Sequence, residues 1–109
     1  MRVALKPLVF EILLALVDEP RHGWSLVREV ETRLGSEPLL PGNFYRTLRR
    51  LLADGLIEEA PAPPGHEDAD ERRRYFRLTD AGKRSARAEA RRLSALLSDA
   101  RTRRLLKAR

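Results

Sequence analysis

Pro41-Gly42-Asn43-Phe44-Tyr45-Arg46-Thr47-Leu48-Arg49-Arg50-Leu51-Leu52-Ala53-Asp54 acquires two chemically distinct sides when wound at about 100° per residue. Phe44, Leu48, Leu51 and Leu52 gather on one side, a stripe that needs a core to cover it. Asn43, Arg46 and Arg50 fall opposite, while Tyr45 and Arg49 share a flank. The planar fork of arginine binds guanine O6 and N7 or clamps a phosphate, asparagine pairs with an adenine edge, and tyrosine donates to a phosphate oxygen. On an isolated helix such a face is more often a solvated surface, so the flanking sequence has to decide.

Downstream, Asp54-Gly55-Leu56-Ile57 ends the helix with a glycine that tolerates a positive φ, and an extended segment from Leu56 to Ala60 follows. Pro61-Ala62-Pro63-Pro64-Gly65-His66 suits neither a ladder nor a helix and is expected at a loop tip. Arg73 to Leu78 then returns as a second strand, with Phe76 and Leu78 on one side and Arg73, Tyr75 and Arg77 on the other. Glu67, Asp68, Asp70 and Glu71 near the tip would be repelled by a phosphate backbone. Any DNA contact from this hairpin is therefore expected from Arg72, Arg73 and Arg74 at its base.

Upstream, Pro7 precedes Leu8, Val9, Ile12, Leu13, Leu16 and Val17 at helical spacing. Asp18 to Gly23 breaks that pattern. A second helix follows with Leu26, Val27, Val30 and Leu34 inward, Gly35 as its stop and Ser36-Glu37-Pro38 as a short connection. Three helices and a two-stranded hairpin make a winged helix-turn-helix, a mainly α fold with a small β-wing whose third helix enters the major groove.

The last third reads as one long helix. Thr79-Asp80-Ala81-Gly82 offers an oxygen cap and a first-turn acid. Ala86, Ala90, Leu93, Leu97 and Ala100 recur at intervals of four and three, with Leu96 beside them, a narrow seam suited to a partner helix. The alternative is that the seam folds back on its own domain. Leu105 and Leu106 leave the stripe, which marks the end of the expected helix. The expected division is a DNA-binding domain over residues 1–79 and a dimerisation helix over 80–109.

Composition narrows the function. With 109 residues the chain has room for a single core, and 22 Lys+Arg against 16 Asp+Glu give a net charge of +6 and a pI near 10.7. That balance favours a polyanionic partner. The absence of cysteine excludes disulfides, thiolate catalysis and cysteine zinc sites and points to the cytoplasm. The apolar run Leu8 to Val17 is too short for a bilayer, is interrupted by Glu11, and lacks a signal-peptide cleavage site. His22 and His66 lack metal-binding spacing, and His22 fits a turn. No nucleophile elbow, phosphate-cradling loop or dinucleotide fingerprint occurs, and Glu58 and Glu59 alternate faces on a strand. Neither an enzyme nor a cofactor or metal site is expected.

The stretches Leu5-Lys6-Pro7-Leu8, His22-Gly23-Trp24, Leu40 to Leu51, Asp54-Gly55-Leu56-Ile57 and Arg74 to Gly82 together resemble the PadR family of bacterial transcriptional regulators, in its short form with one C-terminal helix. The resemblance covers nearly the whole chain in order. It implies a homodimer held by the terminal helix, bound to a palindromic operator in double-stranded DNA and repressing transcription until a small molecule or another signal releases it. In that family the positions of Tyr45, Arg46, Arg49 and Arg50 face DNA. Two-fold symmetry would set the two reading helices about 34 Å apart, one turn of duplex. Trp24 stands where tyrosine is more usual. With Phe10 it could line a site for a planar hydrophobic effector, or it could fill core volume. The acidic, proline-rich wing tip also departs from a phosphate-gripping wing. Two other functions fit the same chain: a winged-helix module that binds protein, and non-specific adhesion to nucleic acid or anionic membrane through the arginines of the last helix.

Overall fold

Pro7 opens the first helix at a position where the missing N–H has no intrahelical acceptor to lose. In a computed structural model that describes residues 4–34, 40–65 and 74–107, α1 spans Pro7–Ala15, β1 Arg21–His22, α2 Gly23–Leu34, α3 Pro41–Ala53, β2 Ile57–Ala60, β3 Tyr75–Leu78 and α4 Asp80–Thr102. Helices dominate, with one small antiparallel sheet, as the fold class expected. Gly35, the connection Ser36-Glu37-Pro38, the side chain of Leu34, the wing tip from His66 to Glu71, and Arg72 and Arg73 lie outside the described residues.

The sheet differs from the expected hairpin by one strand. Its order is β1-β3-β2, with Arg21 opposite Phe76 and His22 opposite Tyr75 on one edge and Ile57 opposite Leu78 through Ala60 opposite Tyr75 on the other. Two residues are too short to show a strand period, and β1 falls in the stretch that read only as a helix break. Its presence changes the exposure of Tyr75, whose side of the strand is covered there. Tyr75 is buried like Phe76 and Leu78, because the ring of His22 meets it edge-on at 5.4 Å. Only Arg77 on this strand points to solvent.

One core joins all the helices. Ile12 and Leu13 of α1, Leu26 and Val30 of α2, Phe44, Leu48 and Leu51 of α3, Ile57, Phe76 and Leu78 of the sheet and Ala86 of α4 are buried together. The first helix ends earlier than its apolar run suggested. Val17 lies past the C-cap and is exposed, and Arg21 instead donates to the open Ala15 carbonyl at 2.8 Å. Arg33 ties α2 to α1 by donating to Glu11 at 2.8 Å.

The junction between α3 and α4 fixes the direction of the terminal helix. Gly55 takes a φ of 74° and ends α3. The backbone N–H of Thr79 donates to the Leu56 carbonyl at 3.1 Å, its hydroxyl donates to the Gly55 carbonyl at 2.6 Å, and the same hydroxyl accepts from Gly82 N–H at 3.0 Å. Gly82 is packed so closely that a Cβ there would run into the Leu56 carbonyl oxygen. At the other end Arg104 turns left-handed with φ 64°, and Leu105 N–H closes on the Ala100 carbonyl, so α4 stops just before Leu105 and Leu106.

Candidate nucleic-acid interface

Burial of one side of α3 dictates what the other side shows. Phe44, Leu48 and Leu51 are sunk in the core, and Asn43, Arg46, Arg49 and Arg50 are exposed around the outward half of the helix. Tyr45 is partly exposed, held edge-on to Phe44 at 5.4 Å, and borders the same cleft as Gly23 at the start of α2.

The arginines differ in whether they are already engaged. Arg50 donates from Nε to Asp54 at 3.3 Å, one turn along the helix, with both side chains mostly in solvent. Among the described residues neither Arg46 nor Arg49 has a carboxylate partner. On the wing, Arg74 sits 3.4 Å from Glu59, and Arg77 donates to Glu58 at 2.9 Å across the β2–β3 ladder. Exposed pairs of this kind are worth about 0–1 kcal/mol, so a phosphate can displace the carboxylate at small cost. The cross-strand register that pairs Glu58 with Arg77 was not evident from the sequence, since it depends on where β2 and β3 align.

Two open clefts flank the helix. One is bordered by Asn43, Arg46, Arg50 and Asp54 and, from the N-terminal segment, by Ala4 to Lys6. The other is bordered by Tyr45, Arg49, Arg74 and the β1–α2 junction His22-Gly23-Trp24. Trp24 is therefore no core residue. It is 60% exposed, stacked parallel to His22 at 6.5 Å, and Arg28 lays its guanidinium 4.8 Å above the ring. Phe10, half-buried on α1, is not among the residues bordering either cleft. His22 does act at a turn: its Nδ1 accepts from Ser25 N–H at 3.2 Å, satisfying an otherwise open donor at the start of α2.

The expected dimer seam divides along its length. Ala86 is buried in the core of its own domain, and Leu93 and Ala100 are half-buried. Leu96 and Leu97 are 53% and 45% exposed, and Ala90 is exposed. Glu89, which the seam did not include, is buried beside Arg92, which donates to it at 2.8 and 2.6 Å. The hydrogen bond from Arg92 holds the Glu89 carboxyl below the usual carboxylate range against the opposing effect of burial, and the Leu5 backbone amide contributes in the same direction. Among the described residues no cluster of His, Cys, Asp or Glu could hold a metal ion, and no helix is long and apolar enough to cross a membrane.

Comparison with known proteins gives this geometry a context. The model of the transcriptional regulator PadR-like family matches residues 12–88. RosR of H. salinarum is 29% identical, aligned over 87% of this chain and 76% of its own, with a TM-score of 0.64. A PadR family transcription regulator from Clostridium difficile R20291 has the same fold at 21% identity, over 93% of this chain and 100% of its own, with a TM-score of 0.72. Bacillus subtilis PadR, solved in complex with operator DNA, aligns at 21% identity over 76% of this chain and 46% of its own, with a TM-score of 0.61. No curated protein sequence matches this chain significantly.

Proposed function

This chain belongs to the PadR-like family of transcriptional regulators, a family of regulators rather than enzymes, and on that premise we propose that it is a homodimeric repressor that binds an inverted-repeat operator through α3. The observation that carries this reading is the outward face of α3, where Arg46 and Arg49 stand exposed beside Asn43 and Tyr45 with no carboxylate partner among the described residues. Such a face would be costly to hold against a core and is suited to a polyanion. The structure of Bacillus subtilis PadR in complex with operator DNA supports the same use of the fold. In this reading residues 1–79 form the DNA-binding unit and residues 80–109 the dimerisation helix, with Leu93, Leu96, Leu97 and Ala100 as its apolar contacts. Ala90 lies on the same stripe, while Ala86 serves the domain core. Arg50 and the wing-base arginines, Arg72, Arg73 and Arg74, supply further contacts to the duplex. The protein acts in the cytoplasm, and a small hydrophobic effector releases it. Of the two aromatic residues expected at an effector site, Trp24 alone presents most of its ring to solvent.

Footprinting the protein on its own upstream region, with a scrambled duplex as control, tests this directly. Arg46→Ala is expected to cost about 1–3 kcal/mol on the footprinted site if Arg46 reads a base, and to cost the same on both duplexes if it clamps a phosphate. Unchanged duplex binding after Arg46, Arg49 and Arg50 are all converted to glutamate would overturn the assignment and favour a protein partner for α3.

A further inference from the structure

We infer that Trp24 and Arg28 form a phosphate clamp on α2, gripping the DNA backbone beside the half-site that α3 reads; the inference rests on the DNA-binding function proposed above. A tryptophan with most of its surface in water at the start of a helix is unusual, since the same ring buried would stabilise the core. Here it stands at a ridge. On one side Trp24 borders the cleft that also holds Tyr45, Arg49 and Arg74, and on the other it borders a shallow cleft shared with Arg21, Ser25, Arg28 and Glu29. The ridge thus joins the cleft beside α3 to Arg28 on α2.

The chemistry of the pair fits a phosphodiester. The ring of Trp24 is kept in place by parallel stacking on His22, and Arg28 lies 4.8 Å above it. Stacking on an aromatic face restricts the long arginine side chain while leaving its N–H groups directed outward, so less freedom is lost when they meet an anion. Arg28 has no carboxylate partner among the described residues. The indole N–H adds a second donor to the pair, and a phosphate oxygen can accept from it. A phosphate held at the outer edge of the Trp24–Arg28 stack by the guanidinium N–H groups would anchor α2 and fix the angle at which α3 lies in the groove. This makes the two residues positioning groups: they strengthen binding to any duplex without selecting its sequence.

Trp24 is the chain's single tryptophan, so its fluorescence reports this contact without a label. The test uses the full-length protein and two probes, a duplex selected by the wild-type protein from a random-sequence library and a shuffled duplex of the same composition. Titration with either is expected to quench or shift the emission. Arg28→Gln is expected to weaken both duplexes by a similar factor, about fivefold to tenfold, and to lower the slope of log K against log salt by about 0.9 for each bound protomer. Arg101→Gln on α4 is the charge-matched control and should leave the emission change intact. If the wild type binds the selected duplex while its emission stays unchanged and Arg28→Gln leaves the salt slope as it was, the clamp is overturned and the DNA-binding function stands. If the wild type binds neither duplex, both fall together. If Arg28→Gln weakens only the selected duplex, Arg28 reads sequence and the assignment as a backbone clamp is wrong.

Discussion

Asp54→Asn should tighten DNA binding. The carboxylate at position 54 lies 3.3 Å from Arg50 Nε and borders the same cleft as Asn43, Arg46 and Arg50. Two terms follow from that position. An exposed pair one turn apart on a helix is worth about 0.3–0.5 kcal/mol, which Arg50 must give up before it can meet a phosphate. A carboxylate within a side-chain length or two of the DNA backbone adds repulsion of about 0.5 kcal/mol at water-like dielectric. Together they amount to about 1 kcal/mol, or roughly a fivefold gain in affinity. The fold should tolerate the change, because Asp54 caps α3 through its backbone N–H to the Arg50 carbonyl and asparagine keeps that bond. Loss of the exposed pair should shift stability by less than about 0.5 kcal/mol. Fluorescence anisotropy of a labelled duplex, at low salt and again at raised salt, measures the effect. The gain should shrink as salt rises, since the screening length falls from about 10 Å at 0.1 M to about 3 Å at 1 M. An unchanged or weaker affinity at low salt, with thermal stability intact, would show that Arg50 does not face the duplex.

Two further outcomes concern the scaffold. Gly82→Ala should destabilise the domain by about 3 kcal/mol: a backbone carbonyl cannot rotate away from the new Cβ, and the typical overpacking cost of about 1–3 kcal/mol is joined by loss of the Thr79 cap, against a propensity gain of about 1 kcal/mol. Thermal unfolding by circular dichroism measures it, and a variant as stable as wild type would contradict the packing at the α3–α4 junction. Glu89 should make stability pH-dependent on the acid side. Its carboxyl is held below the usual range in the folded state, so the unfolded chain takes up the proton first. The stabilisation is full above the ordinary carboxylate pKa and is lost as pH falls through the lower, folded value. Acid titration of wild type against Glu89→Gln should show a smaller acid loss in the variant, and identical acid profiles would argue against the Arg92 pair.

The functional face was legible because it depends on local periodicity. Placing Asn43, Arg46 and Arg50 opposite Phe44, Leu48 and Leu51, with Arg49 on a flank, requires only the helical repeat, and the exposed and buried sides of α3 follow it. Gly55 and the Thr79 cap were legible for a similar reason, since a positive φ and a helix start are local demands. The burial of Tyr75 was not legible because alternation along a strand assumes one covered face, whereas the ring of His22, its neighbour across the β1–β3 pairing, meets it on the other. Trp24 and Glu89 show the same limit from opposite sides. A large aromatic reads as core and a glutamate as surface, but burial depends on which element packs there. Trp24 is left 60% exposed among the described residues, whereas Glu89 meets the N-terminal segment and Arg92.

From sequence alone came the order of helices, the wing, the basic outward side of α3 and the apolar stripe of the last helix, all set by interactions spanning a few residues. Tertiary structure decided the third strand, the partners of Arg50, Arg74 and Arg77, the division of the α4 stripe between core and surface, and the exposed stack of His22, Trp24 and Arg28. Those depend on register and on the approach of residues distant in the chain, and neither composition nor periodicity encodes a distance between separate elements.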